Sequence, residues 1–188
     1  MRSTTTLALI LAVTMAACGD STTGPTGSSR LTVMLKDSPF TDARSLLVTF
    51  SEVSVHKAEG DWTSVPFAGA ASSRTCDLKK LTTAQDVLGT GTLAPGQYTM
   101  VRLTVSNAVL YFDNAASDPA CAPTMAAPSG RSAVADIPSG VVRLNRPFEV
   151  TDGGGTTMLL DFDGDRSVRE TGNGRYMMSP VITVVSVQ

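Results

Sequence analysis

Hydrophobic and polar residues alternate along much of this chain, which is the period of a β-strand with one buried face. Segments 31–36 and 101–106 place Leu or Val at every second position. Within 46–55 the apolar positions are even-numbered before Ser51-Glu52 and odd-numbered after it, which predicts a β-bulge or a sheet-switching bend there. Further strands are predicted at 60–65, 107–112, 147–151, 156–162 and 176–187.

Turn sequences separate the predicted strands. Pro95-Gly96 has the residue types of a type II turn, and Tyr98 just beyond it is expected to pack at a sandwich corner with its hydroxyl bonded to the backbone. The one helix predicted is short, from Leu81 to Leu88, with Thr82 or Thr83 as its cap. Many short strands with almost no helix predict an all-β fold, an antiparallel two-sheet β-sandwich.

The N-terminus has the pattern of an export signal. Arg2 precedes an apolar run, and Met15-Ala16-Ala17 stands directly before Cys18. This resembles a bacterial lipoprotein signal, which implies that residues 1–17 are removed and that the Cys18 sulfur carries a diacylglycerol. The alternative is a transmembrane helix, but the apolar stretch from Leu7 to Ala17 is well short of the ~20 residues that a bilayer requires.

The segment 18–29 is rich in Gly, Ser and Thr, and we interpret it as the lipidated cysteine with a flexible tether. Residues 30–188 then form one domain. By resemblance to lipoprotein sorting rules, Gly19 in place of an aspartate argues against retention at the inner membrane. The predicted location is therefore the bacterial cell envelope, at the outer membrane.

The charge distribution argues against nucleic acid as a partner. The formal net charge is −2 and the basic residues are scattered, so the chain lacks the basic stripe of a nucleic-acid-binding surface. The expected partners are the membrane, through the N-terminal lipid, and an unidentified protein or glycan.

Cys76 and Cys121 remain once Cys18 is acylated. An even pair in an exported, oxidising location indicates a disulfide. The alternative is two separate thiols, with Cys76 buried at a strand edge. A catalytic cysteine is not expected, because no motif ties His56 to either thiol.

Asp161, Asp163 and Asp165 form the densest acidic segment. Such carboxylates could bind calcium, but Gly164 and Gly172 do not fit the spacing of a standard calcium loop. The alternative is a strand that runs into an acidic turn, with Asp165 as a cap. A hydrolase would use Asp161 and Asp163 as paired carboxylates across a cleft.

Trp62 is the only tryptophan. It is either a core residue of the sandwich or a platform on which a sugar stacks. A carbohydrate-binding module would need Trp62 and at least one tyrosine exposed on a common face.

Seven blocks of the sequence, among them LTVMLKDSP at 31–39 and PGQYTMVRL at 95–103, agree in order and spacing with one family. The chain resembles the bacterial and archaeal family called domain of unknown function 4382. The blocks are residues 31–39, 48–56 with Trp62, 77–81, 88–89 with 95–103, 137–140, 159–163 and 176–182. The chain departs from the family pattern after Pro138 and in the extra loop 114–129.

The resemblance implies an envelope or secreted protein, often lipid-anchored, with an immunoglobulin-like or prealbumin-like sandwich. It implies no accepted activity and transfers no catalytic residue. We therefore expect a non-catalytic domain that needs no cofactor and acts in binding, adhesion or envelope assembly. A carbohydrate-binding module, and a carboxylate-dependent hydrolase or calcium-binding domain around 161–165, are the alternatives.

Overall fold

The computed structural model describes residues 27–38 and 42–188, and over these residues the chain is all-β. The strands are β1 (Ser29–Ser38), β2 (Ser45–Lys57), β3 (Trp62–Ser64), β4 (Arg74–Asp77), β5 (Asp86–Leu93), β6 (Gly96–Tyr111), β7 (Cys121–Ala122), β8 (Ser132–Asp136), β9 (Val141–Val150), β10 (Gly155–Asp163), β11 (Val168–Gly172), β12 (Arg175–Met178) and β13 (Ile182–Val187). The helices are α1 (Leu78–Leu81) and α2 (Gly164–Ser167).

The strands form two sheets around one hydrophobic core, as the sequence predicts for a sandwich. The small sheet has the order β13-β10-β1-β5, and the large sheet has the order β11-β12-β8-β6-β2-β4-β7, with β3 on β2 and β9 on β6. Phe50 of the large sheet meets Phe162 of the small sheet edge-on, at 6.2 Å between ring centroids. Contacts of this kind join the two sheets.

The predicted alternation is confirmed in β1 and β6. Leu31, Val33 and Leu35 are fully buried, while the residues between them are partly exposed. The phase change in β2 is also confirmed, because Phe50 and Val53 are both buried and the pairing with β6 is irregular between them. A bulge lets one long strand keep apolar side chains on the core side at both ends.

The chain bends at Pro95 before Tyr98, where the sequence predicts a type II turn. Gly96 has φ of +135°, a conformation that other residues rarely adopt. The Tyr98 hydroxyl donates to the Ala94 carbonyl oxygen at 3.0 Å, and the ring stacks on Phe148 at 5.3 Å. Tyr98 is therefore a corner residue of the kind that the sequence predicts.

The sheets are not purely antiparallel, and this corrects the prediction. β1 pairs with β10 in parallel, and β12 pairs with β8 in parallel over two residues. Parallel neighbours need a crossover connection, and β1 and β10 are far apart in the sequence. Local periodicity reports which face of a strand is buried, but not which distant strand lies beside it.

The predicted helix from Leu81 to Leu88 is wrong. In its place the structure has α1, which begins three residues earlier, and the chain is extended again from Asp86. The cap is Asp77, whose carboxylate accepts from the Lys79 backbone N–H at 3.2 Å. It is not Thr82 or Thr83.

Asp77 also secures the neighbouring strand. Its side chain is fully buried, and it accepts hydrogen bonds from the Ser45 hydroxyl at 2.8 Å and the Leu46 backbone N–H at 3.1 Å. One carboxylate therefore ties the start of α1 to the start of β2. The structure also has a second helix, α2, whereas the sequence predicts only one.

The predicted strand over 176–187 is two strands in different sheets. The chain leaves the large sheet after β12, passes Pro180 and enters the small sheet as β13. Pro180 has no N–H to donate to a ladder, which favours the break. The flanking Ser179 and Val181 backbone N–H groups donate to the backbone and side chain of Ser167.

Neither helix in the described residues is long and apolar enough to cross a membrane. The predicted lipid-attachment residue Cys18 and the tether up to residue 26 lie outside the described residues. β1 begins at Ser29, one residue before the predicted start of the domain.

Candidate functional site

The predicted disulfide is confirmed, since Cys76 and Cys121 are bonded. The two residues are direct partners in the pairing of β4 with the two-residue strand β7. The bond thereby fixes the long connection between β6 and β8 to the large sheet. It is a structural cross-link and lies buried.

Trp62 lies on the outer face of the large sheet, half-buried, and is not part of the core. β3 places it directly opposite His56, and the two rings are 5.0 Å apart between centroids. The Arg102 guanidinium carbon lies 4.3 Å from the Trp62 ring centroid, within the range of a cation–π contact. Trp62 is thus held between two polar side chains.

The side chains around Trp62 are themselves fixed. Arg102 forms an ion pair with Glu52 and donates from Nε to the Ser54 hydroxyl oxygen at 3.1 Å. Burial raises the pKa of the Glu52 carboxyl, but hydrogen bonds from Arg102 and Ser54 outweigh it and hold the pKa below its ordinary value. The Thr104 hydroxyl donates to the other Glu52 oxygen at 3.2 Å. We call Glu52, His56, Trp62 and Arg102 the Trp62 patch.

The three tyrosines do not join this patch. Tyr98 and Tyr111 are buried. Tyr176 belongs to β12 and packs against Phe112 at 5.5 Å between ring centroids. The second exposed aromatic residue that a sugar platform would need is therefore not a tyrosine.

The three aspartates of the acidic segment 161–165 have different structural surroundings. Asp161 pairs with Lys36, with Nζ 3.1 Å from Oδ2, and accepts from the Ser38 hydroxyl at 3.3 Å. Asp163 caps α2 by accepting from the Arg166 backbone N–H at 3.0 Å. Asp165 is exposed in the first turn of that helix.

This arrangement does not support the calcium hypothesis. Within 27–38 and 42–188, no group of three His, Cys, Asp or Glu residues is placed to hold a metal ion. The capping residue is Asp163, not the predicted Asp165. Asp163 caps the helix and Asp161 forms an ion pair, so these two carboxylates already have partners.

The sequence patterns did not identify Asp37 as a site residue. Its pKa is shifted further from the ordinary value than that of any other carboxyl in the described part of the chain. Asp37 is only 4% exposed, and its Oδ1 accepts from the Gly164 backbone N–H at 3.1 Å. Its Oδ2 is buried and has no hydrogen-bond partner among the described residues. The signal was available, because Asp37 continues the inward-facing positions of β1, Leu31, Val33 and Leu35.

Burial is the main reason that the pKa of Asp37 is raised from 3.8 to about 8. The Gly164 N–H lowers the pKa, the nearby Asp161 and Asp163 raise it further, and Lys79 on α1 lowers it. Asp37 is therefore protonated at neutral pH. Asp37 lines a surface cavity of about 480 Å³ together with Lys36 and residues 81–85.

The comparison with known families agrees with the resemblance carried by the seven blocks. Residues 28–180 match the family described as Domain of unknown function (DUF4382). The chain belongs to this family, and its described residues form an all-β fold. No curated protein and no solved structure matches the chain.

Proposed function

We propose that this protein is a lipid-anchored domain of the bacterial cell envelope that binds a protein partner without catalysing a reaction. The observation that carries the proposal is the Trp62 patch. Tryptophan and arginine are the residue types most enriched at the energetic centres of protein interfaces. Here one of each is stacked on the outer face of the large sheet.

Preorganisation supports the same proposal. The Glu52 ion pair and the Ser54 hydroxyl hold Arg102 against Trp62 before any partner arrives. Ordering a free side chain on binding costs about 0.5–1.5 kcal/mol, and a side chain already held avoids most of this cost. A partner that presents an acidic or aromatic group fits the exposed edge of the patch.

The anchor part of the proposal is supported by the signal sequence that ends at Cys18. Growth of cells with labelled palmitate tests it, because lipidation should label the wild-type protein and not Cys18→Ser. Equal labelling of both proteins would contradict the anchor.

A glycan is the second candidate partner, because Trp62 lies half-buried on the outer face of the large sheet, where part of its ring remains open to a sugar, although no tyrosine joins it there. The charged neighbours of Trp62 favour a protein partner over a glycan. The remaining alternative, a hydrolase, has one specific observation in its favour, the raised pKa of Asp37 beside a cavity. Its predicted carboxylates, Asp161 and Asp163, do not line that cavity.

Affinity capture in detergent tests the binding proposal. The full-length protein is immobilised and exposed to solubilised envelope proteins from cells that lack it. We expect Trp62→Ala to lose the captured partner. Val134→Ala is the matched control, because Val134 is an exposed apolar residue elsewhere in the large sheet, and it should keep the partner.

The control variant and a glycan competitor determine what the result means. Equal capture by both variants would contradict the role of the Trp62 patch. If added soluble glycan releases the captured material, the result would favour the carbohydrate alternative.

A further inference from the structure

Asp37 lines a surface cavity and has a buried polar atom without a partner among the described residues. Asp37 Oδ2 is buried and unpartnered within the described residues, while Oδ1 of the same carboxyl is bonded to the Gly164 N–H. A buried polar atom without a partner is rare in folded proteins. Asp37 is also one of the residues that line the cavity, so its unsatisfied carboxyl is the group that a ligand bound there would complete.

The cavity has the size and lining of a small-molecule site. Its volume of about 480 Å³ lies within the ~300–1,000 Å³ typical of ligand pockets. Thr82, Thr83 and Gln85 add hydroxyl and amide groups to the wall, and Leu81 adds an apolar one. The Thr82 hydroxyl donates to the Lys79 carbonyl, which leaves its oxygen able to accept.

The charges around Asp37 favour a positively charged ligand. Asp161 and Asp163 of β10 make the surroundings of the carboxyl more negative, and Lys79 of α1 makes them less negative. Lys36, the lysine of the cavity wall, pairs with Asp161 at 3.1 Å. A cation would complete the bonding of the free oxygen, whereas an anion would be disfavoured by the negative charge of the nearby Asp161 and Asp163.

We infer that the cavity binds a primary ammonium group, with Asp37 Oδ2 as its acceptor and the oxygens of residues 82–85 as further acceptors. On binding, the ammonium group takes the place of the proton on the Asp37 carboxyl. The ammonium group enters with its charge, the carboxyl gives up its proton to solvent, and an ionised Asp37 pairs with the ligand. A free alkylamine and a lysine side chain of a partner protein share this chemistry.

Proton release makes the inference specific. Since Asp37 ionises only near pH 8, a ligand that requires the ionised form should release about one proton at pH 7. Its affinity should rise about tenfold for each pH unit up to about pH 8.

Isothermal titration calorimetry of the full-length protein in detergent tests the inference. The probes are butylammonium, for a free amine, and a blocked Gly-Lys-Gly peptide, for a lysine side chain, with 1-butanol as the uncharged control. Titrations in two buffers of different ionisation enthalpy measure the protons released. We expect saturable binding of at least one cationic probe, and the tighter of the two identifies the source.

Asp37→Asn should weaken that binding by about tenfold to a hundredfold, which is what loss of a charge-assisted hydrogen bond implies, and should abolish proton release. Asp165→Asn is the matched control, because Asp165 is an exposed acid on nearby α2 that does not line the cavity; it should bind like the wild type. Equal weakening by the two variants, binding without proton release, equal binding of butanol, or no saturable binding would each overturn the inference. The Trp62 patch shares no residue with this site, so the two proposals fail independently.

Discussion

Replacing Asp37 by asparagine tests whether its carboxyl is buried and protonated in the folded protein. Folding raises the pKa of Asp37 from 3.8 to about 8, whereas the unfolded chain ionises near the ordinary value. Between these two pH values the folded state holds a proton that the unfolded state has released. The free energy of unfolding therefore falls as the pH rises through this window. Asparagine has no proton to hold, so Asp37→Asn should lack this contribution.

The size of the effect follows from the shift. Each pH unit inside the window costs the wild type about 1.4 kcal/mol relative to the variant. From pH 5 to pH 7 the difference should reach about 3 kcal/mol, or about 6–12 °C in Tm for a domain of this size. Urea unfolding of both proteins at pH 5, 6 and 7 measures it, and the other titrating groups cancel in the comparison. Parallel stability curves for the two proteins would refute the reasoning.

Three further substitutions or treatments test the structural account. Reduction of the Cys76–Cys121 bond should cost about 4 kcal/mol of unfolding free energy, measured by urea unfolding with and without reductant; an unchanged midpoint would contradict the cross-link. Asp77→Ala leaves buried donors unpaired and should cost about 3 kcal/mol or more, with Asp77→Asn milder, whereas equal stability of both variants would argue against the network. Tyr98→Phe removes one hydrogen bond and should lower stability by about 1 kcal/mol; no change would mean that the corner bond contributes nothing.

The sequence was informative where a local pattern decides the structure. Alternating apolar residues fix the inward faces of β1 and β6, because a strand has only two faces. The phase change at Ser51-Glu52 predicts the irregular pairing of β2 for the same reason. Pro95-Gly96 and Tyr98 act within four residues of one another, so their roles were also predictable.

The sequence was misleading where distant residues decide the structure. Asp77 caps α1 in part because the start of β2 supplies two further donors to the same carboxylate. No local propensity reports these donors, and the helix was therefore predicted too late in the chain. The parallel pairing of β1 with β10 depends in the same way on a partner strand far along the sequence.

For the candidate sites, too, some residues could be predicted from the sequence and others were missed. Cys76 and Cys121 were predicted from their number and location, and Asp161 and Asp163 from their proximity in the sequence. Asp37 lies one residue beyond the predicted strand segment 31–36, although its position in the alternation of β1 places it inside. A charged residue at an inward-facing position of a predicted strand is the signal that would have found it.

The blocks that carry the family resemblance include residues with structural tasks. Tyr98 secures a corner and Asp77 joins α1 to β2. At Gly140 an added Cβ would lie 1.9 Å from the Val105 carbonyl oxygen, so a larger residue would force the backbones apart. The resemblance thus identifies the fold, and the Trp62 patch and the Asp37 cavity are the places to look for function.

Photo-crosslinking in living cells tests the central claim most directly. A photoreactive amino acid is placed at Ser64, an exposed residue of β3 close to Trp62, and in a second protein at Val134. We predict a protease-sensitive adduct from position 64 that disappears when Trp62→Ala is added, and no such adduct from position 134. Adducts of equal yield at both positions, or an adduct at position 64 that survives Trp62→Ala, would contradict a partner-binding role for the Trp62 patch.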